Sequence, residues 1–262
     1  MNRLDVELVK RNLVKSRSKA KELILNNFIK INGSINNKPS TMIYDTDSLE
    51  IVPNGTLKYV SRGGLKLERA IELFNIDFKD KKVMDIGSST GGFTDCSLQH
   101  GAKEVIAIDV GTNVMDDSLR DDKRIKLYEN LNIKDASDDL FNNIDIIVSD
   151  VSFISIKYII DKIVPYKINE VILLIKPQFE CGKQIADKYK GVILDKGIHK
   201  KIVDNIIYYL SKYNYHLYGI EVSPIRGGSG NIEYISYFKY GVDTPKSFDL
   251  DRLINNAFKD VK

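Results

Sequence analysis

The sequence predicts a two-domain protein in which a doubly wound α/β sheet follows a small α+β unit. Three observations carry that prediction. From Lys82 onward, short apolar strands alternate with amphipathic helices. The first of these strands runs directly into a glycine-rich turn, Gly87-Ser88-Ser89-Thr90-Gly91-Gly92. Before them, Pro53-Asn54-Gly55 breaks the chain after a stretch in which helices precede strands.

In the N-terminal unit, Leu4, Leu8 and Val9 at helical spacing give a first short helix that stops at Asn12. Ser16 is expected to cap a second helix, with Ala20, Leu23 and Ile24 as its buried stripe and Arg17, Lys19 and Lys21 off that stripe. Phe28 to Ile31, the turn Asn32-Gly33 and a β-like segment from Ser48 to Val52 complete the unit. The expected boundaries are residues 1–56 for this domain, 57–60 for a linker and 61–262 for the second domain. There the expected strands are Val83 to Ile86, Val105 to Ile108, Ile125 to Leu127, Ile144 to Val148, Val171 to Ile175, Leu217 to Val222 and Ile232 to Phe238. The last two follow one helix, Ile198 to Tyr213, and only Ser223 to Gly230 separates them, so an antiparallel edge pair is expected. Asp249 to Phe258 reads as a terminal helix.

Composition excludes several function classes. The 262 residues are 43% hydrophobic and 29% charged, a globular balance. The longest aliphatic run, Val171 to Ile175, falls far short of the roughly 20 residues of a membrane span. Met1 to Glu7 lacks an apolar signal-peptide core, so a cytoplasmic protein is expected. Cys96 and Cys181 stand too far apart for a metal-ligand spacing or a disulfide framework, so no structural metal is expected. The net charge is +3, yet Met1 to Lys30 holds eight Lys or Arg against Asp5, Glu7 and Glu22. That concentration suggests a polyanionic partner. A solvated helix face is the bland alternative.

The glycine turn lies between a strand and a helix beginning near Phe93, where backbone amides can approach a ligand closely. Its spacing, G-x-x-x-G-G, departs from the G-x-G-x-x-G of dinucleotide-binding turns, and no Lys-Ser/Thr pair follows as in a P-loop. The next strand ends at Asp109, 24 residues after Asp85, where a carboxylate can accept both ribose hydroxyls of an adenosine. That arrangement suits S-adenosylmethionine, with Asp85, Gly87, Ser89, Gly91, Gly92, Phe93, Asp109, Val110 and Asp150 as the expected contacts.

Four further ionisable residues lie at strand ends or just before the sheet: Lys66, Asp150, Lys176 and Glu233. Lys176 directly follows an apolar strand and needs a carboxylate partner, for which Asp150 and Glu233 are available. Singly, each has a bland reading: Lys66 a helix surface charge, Asp150 an N-cap, Lys176 a snorkelling strand end, Glu233 an exposed strand residue.

Together, their order and local contexts resemble the Lys-Asp-Lys-Glu tetrad of ribose 2′-O-methyltransferases. The chain resembles the TlyA-type hemolysin and ribosomal RNA (cytidine-2′-O)-methyltransferase family, whose second domain is similar to the FtsJ-like methyltransferases. Arg3-Leu4-Asp5 and Ser16 to Ala20 match the start of a small RNA-binding domain of the S-four type. Tyr59 to Gly64, Asp85 to Thr94, Ser149 to Ser155, Ile175 to Glu180 and Gly230 to Tyr234 follow in family order. Asn113-Val114-Met115 departs from the family pattern. The resemblance implies a Rossmann-like sheet that uses S-adenosylmethionine. It also implies Lys176 as the general base, Asp150 orienting it, and Lys66 and Glu233 positioning the ribose. Arg3, Arg17, Lys19, Lys38 and Arg62 are then the expected phosphate contacts to ribosomal RNA or ribosomal subunits.

Three rival readings compete with this one: a membrane-active hemolysin, an oxidoreductase, and a ribosome-binding protein without catalysis. The first lacks a transmembrane run or a long basic amphipathic helix, the second the glycine spacing, and the third would need a broken tetrad. Stabilisation by S-adenosylmethionine but not NADH separates them. The sequence leaves open the target nucleotide, one subunit or both, and the oligomeric state; only two residues precede Arg3, which leans toward the large subunit alone.

Overall fold

The computed structural model describes residues 1–14, 17–25, 28–51, 58–227, 229–242 and 246–259, with Ser18, Glu22 and Leu25 described by backbone alone. Ser16, the expected helix cap, and the break at Pro53-Asn54-Gly55 lie outside the described residues. The chain divides into two compact units, Met1–Leu57 and Lys58–Lys262.

The first unit comprises β1 (Asn2–Arg3), α1 (Leu4–Lys10), α2 (Arg17–Leu25), β2 (Ile29–Ile31), β3 (Ser34–Ile35), β4 (Met42–Ile43) and β5 (Leu49–Ile51). Asn12, in the left-handed region, ends the first helical segment as its side chain permits. Leu4, Leu8, Ala20, Leu23, Ile24, Ile29 and Ile43 make a small core. β2 pairs antiparallel with β3 and β5, and β1 with β4. The two-residue strands β1 and β4 were not foreseen; they carry too few residues for any periodicity.

The second unit opens with α3 (Gly63–Phe74), then β6 (Lys82–Ile86), α4 (Gly92–Gln99), β7 (Glu104–Ile108), α5 (Asp117–Arg120), β8 (Ile125–Tyr128), β9 (Ile146–Ser149) and α6 (Lys157–Ile163). It continues through β10 (Glu170–Ile175), α7 (Pro177–Glu180), α8 (Lys183–Lys188), α9 (Lys196–Ser211), β11 (Tyr215–Val222), β12 (Tyr234–Tyr240) and α10 (Leu250–Ala257). The sheet order is β11-β12-β10-β9-β6-β7-β8. β8 through β10 are mutually parallel in that sheet, and β12 is antiparallel to both β10 and β11. Neighbouring strand residues diverge to two cores. Val83, Val105, Val148 and Ile172 face α3 and α4, whereas Met84, Ile106, Ile147 and Val171 face α6 and α9.

Residues 58–60, expected as linker, are instead built into this unit. Tyr59 is buried in its core, Val60 N–H donates to Asp95 Oδ2 at 2.8 Å, and Lys58 pairs with Glu68. No helix among the described residues is long and apolar enough to cross a membrane.

One buried histidine braces the segment behind the sheet's carboxyl edge. Ile193 O can only accept, so His199 Nε2 carries the hydrogen (3.0 Å), and Nδ1 accepts from the Tyr234 hydroxyl (2.7 Å). Asn231 ties the same segment through Gly191 O and Ile193 N–H, at 2.8 and 3.0 Å. Burial lowers the His199 pKa from its ordinary value. The unfolded chain therefore binds a proton near pH 6.5 that the folded chain refuses, so stability drops as pH falls through that value toward the lower folded one. Thermal melts at pH 7.5 and 5.5 should show an acid loss in the parent that is smaller in His199→Gln; equal losses would reject a neutral buried imidazole.

Candidate active site

Strands β12, β10 and β9 lie side by side, and this places Glu233, Lys176 and Asp150, each at a strand end, along one edge of the sheet. Lys66 reaches the same point from α3. Its Nζ lies 3.0 Å from Asp150 Oδ2 and 2.9 Å from Glu233 Oε2. Lys176 Nζ lies 2.7 Å from Asp150 Oδ1 and 2.8 Å from Ser152 Oγ. Glu233 also accepts from Gln178 Nε2 at 3.2 Å. Lys66, Lys176 and Glu233 are each less than one-tenth exposed, against the surface readings that single residues suggest. Burial acts to lower the Lys66 pKa, but the carboxylates of Asp150 and Glu233 outweigh it and hold Lys66 above the ordinary lysine value. Lys66 is thus a fixed cation. Of the two carboxylates open to Lys176 in the sequence, it takes Asp150, while Glu233 goes to Lys66.

The same cleft, about 920 Å³, is lined by Gly87, Ser89, Gly92, Phe93, Asp109, Val110 and Asp150. Gly87 and Gly91 have φ of +83° and +94°, which glycine adopts freely. The N–H groups of Gly87 and Ser88 both donate to Ile108 O, fastening the turn to the end of β7. Asp109 accepts Ser89 N–H on Oδ2 and Gly111 N–H on Oδ1, each at 2.7 Å, which leaves further lone pairs on both oxygens. Ser88 Oγ is buried without a partner in this turn, an unmet hydrogen-bonding group of the kind a polar cofactor would satisfy.

Asp85 and Gly91 stand behind the lining. Asp85 is fully buried, accepts from Thr94 Oγ1 at 2.7 Å and leaves Oδ1 unpartnered. Burial raises its pKa to about 7. Gly91 packs on Met115: a Cβ there would lie 2.5 Å from Met115 Sδ. Of the segment Asn113-Val114-Met115, it is Met115 that packs against the turn. Glu129 fixes that segment by accepting from Arg120 at 2.6 Å and from Val114 N–H at 2.8 Å, and Arg120 holds its carboxyl down to about 2.

Sequence reasoning missed Ser152, Gln178 and an aromatic pair at the cleft, Phe153 and Phe179, whose centroids are 5.0 Å apart. Phe153 is 90% exposed with φ of +66°, which no sequence pattern reveals. No group of three or more His, Cys, Asp or Glu among the described residues is placed to hold a metal ion.

Residues 59–240 match the FtsJ-like methyltransferase model. The chain belongs to the FtsJ-like methyltransferase family. Residues 2–47 match an S4 domain. Over 244 residues this methyltransferase is 42% identical to Hemolysin A of Brachyspira hyodysenteriae, covering 90% of this chain and 99% of that protein. It is 36% identical to the 16S/23S rRNA (cytidine-2'-O)-methyltransferase TlyA of Mycobacterium tuberculosis, covering 92% and 91%. A solved candidate hemolysin from Streptococcus thermophilus superposes with a TM-score of 0.76 at 35% identity, covering 98% of this chain and 96% of the other.

The S4 domain of this chain exposes several cations. Arg3 Nε and Arg17 Nη2 donate to the two oxygens of buried Asp5, both at 2.9 Å, while the arginine side chains stay 46% and 56% exposed. Leu4 N–H to Thr41 O and Asp5 N–H to Pro39 O bring the loop of exposed Lys38 alongside. Lys19 is partly exposed on α2 and Arg62 lines the cleft of the second unit.

The raised Asp85 pKa sets a second stability prediction. The folded carboxyl keeps its proton up to about pH 7 whereas the unfolded one loses it near 4, so this group's contribution declines as pH rises across that window. Asp85→Asn keeps the bond from Thr94 and removes the decline. Denaturant unfolding should show the variant gaining on the parent by on the order of 2 kcal/mol at pH 8 relative to pH 4.5. The same difference at both pH values would mean that the folded carboxyl is already ionised.

Proposed function

We propose that this chain methylates the ribose 2′-hydroxyl of cytidine in ribosomal RNA, using S-adenosylmethionine. The observation that carries this reading is the joining of Lys66, Asp150, Lys176 and Glu233 in one cleft with the glycine turn and Asp109. The activity for which the Mycobacterium tuberculosis relative is named supports the substrate.

When bound, S-adenosylmethionine would supply an electrophilic methyl on a sulfonium sulfur, with the sulfur as leaving group. Gly87, Ser89 and Asp109 would hold it, with Asp109 placed to accept its ribose hydroxyls. Lys176 takes the proton that the RNA 2′-hydroxyl loses as its oxygen forms the new C–O bond. Asp150 and Ser152 aim the Lys176 Nζ. Lys66 cannot share that task, because two carboxylates keep it an ammonium; with Glu233 it holds the ribose. Orientation by such contacts accounts for much of the acceleration, up to roughly 7 to 11 kcal/mol. The N-terminal unit anchors RNA through phosphates, with Arg3, Arg17, Lys19 and Lys38 as contacts and Arg62 at the cleft.

Lys176→Ala should lower methyl transfer by about 10² to 10⁴ in single-turnover assays at saturating cofactor and RNA, with cofactor affinity nearly unchanged. Activity within threefold of the parent would sink the assignment of the base. Asp109→Ala should weaken S-adenosylmethionine by roughly 1 to 3 kcal/mol in calorimetry, and an unchanged constant in a folded variant would remove Asp109 from the site.

A further inference from the structure

Two acids on α1, Asp5 and Glu7, are buried within the most basic stretch of the chain. On charge alone, an acid on a surface that meets phosphate is unfavourable. Glu7 has a structural task. It accepts from Arg11 at 2.9 Å, and Arg11 also donates to the carbonyls of Asp47 and Tyr44, at 2.7 and 2.9 Å, stapling α1 to the segment before β5. Arg11 is accordingly turned inward, 25% exposed.

Asp5 is bonded differently. It bridges two guanidiniums: Arg3 donates Nε to Oδ1 at 2.9 Å and Nη2 to Oδ2 at 3.4 Å, Arg17 Nη2 donates to Oδ2 at 2.9 Å, and both side chains remain about half exposed. These arginines stand 14 positions apart in sequence, on β1 and at the start of α2. Without an anion between them, two guanidiniums repel and drift apart on flexible stems. Each has five N–H donors, so the two-point bond from Arg3 and the one-point bond from Arg17 hold both guanidiniums at Asp5 and leave further donors for an outside acceptor. The Arg3 pairing holds the Asp5 carboxyl down to about 2, so the clasp stays ionised through the physiological range.

We propose that Asp5 is a positioning residue that holds Arg3 and Arg17 side by side as a paired guanidinium clamp for one RNA backbone phosphate. This rests on the reading of the N-terminal unit as the RNA anchor. The clamp and plain electrostatics predict opposite signs. Asp5→Asn removes a negative charge, which by itself tightens binding to a polyanion; loss of the clamp weakens it.

In the full chain, Asp5→Asn should weaken binding to ribosomal RNA about threefold or more at physiological salt, the scale expected for freeing ordered side chains. Cofactor affinity, measured on the same protein, should not move. Arg17→Lys keeps the charge but not the fork, and should weaken RNA similarly, with Asp5→Asn adding little on top of it. Tighter or unchanged binding by a folded Asp5→Asn overturns the clamp, as do fully additive effects of the two changes. Should circular dichroism show that Asp5→Asn unfolds the unit, Arg3→Lys and Arg17→Lys carry the test, and parental affinity in both overturns it. The double variant Arg3→Ala/Arg17→Ala separates the two ideas: parental RNA affinity there would overturn the anchor itself, whereas loss there with tight binding by Asp5→Asn overturns the clamp alone.

Discussion

One carboxylate, Asp150, faces two lysine side chains, and the cleft is organised by how it divides itself between them. Buried charges persist when they are paired and hydrogen-bonded, and here two lysines and two carboxylates close on one another. The pairing is unequal by construction. Lys66 has two carboxylates and stays charged; Lys176 has one, together with the Ser152 hydroxyl. Chemically similar side chains a few ångströms apart thereby sit in different surroundings, one between two carboxylates and one between a carboxylate and a hydroxyl.

Close approach of backbone makes the arrangement possible. A Cβ on Gly227 would stand 2.5 Å from Glu233 Oε1, so the loop before β12 can lie against that carboxylate only because residue 227 has no side chain. A Cβ on Gly92 would stand 2.9 Å from the Gly64 nitrogen, so α4 can meet the start of α3, the helix that delivers Lys66, only at a glycine. The acidic partners and the glycines beside them are one constraint expressed twice.

Much of the sheet was legible, because parallel strands buried on both faces read as apolar runs: Val105 to Ile108 and Val171 to Ile175 stand out without context. Charged residues were less so. Lys66 on α3 and Glu233 before β12 look like surface charges because their partners lie 84 and 167 positions away, beyond any local periodicity. Asp5 and Glu7 look solvated in a basic segment although Arg3 and Arg11 stand only two and four positions away; their burial depends on arginines folded back onto them. Tyr59 was assigned to a linker because nothing nearby in sequence announces the core it enters. The glycine turn and Asp109 could be read because their geometry is local, a strand, a turn and the end of the next strand.

The antiparallel hairpin of β11 and β12 completes the sheet beside β10, and the residue that completes the charge balance arrives with it. A growing chain exposes Lys66 and must extend by a further 167 residues before Glu233 exists to meet it. At about 5 to 20 residues per second, that interval is roughly ten to thirty seconds. Through it, the sheet can pair strand by strand while its charged edge remains one anion short. Synthesis itself thus acts as a timer, and the fully paired edge belongs only to chains translated past the hairpin.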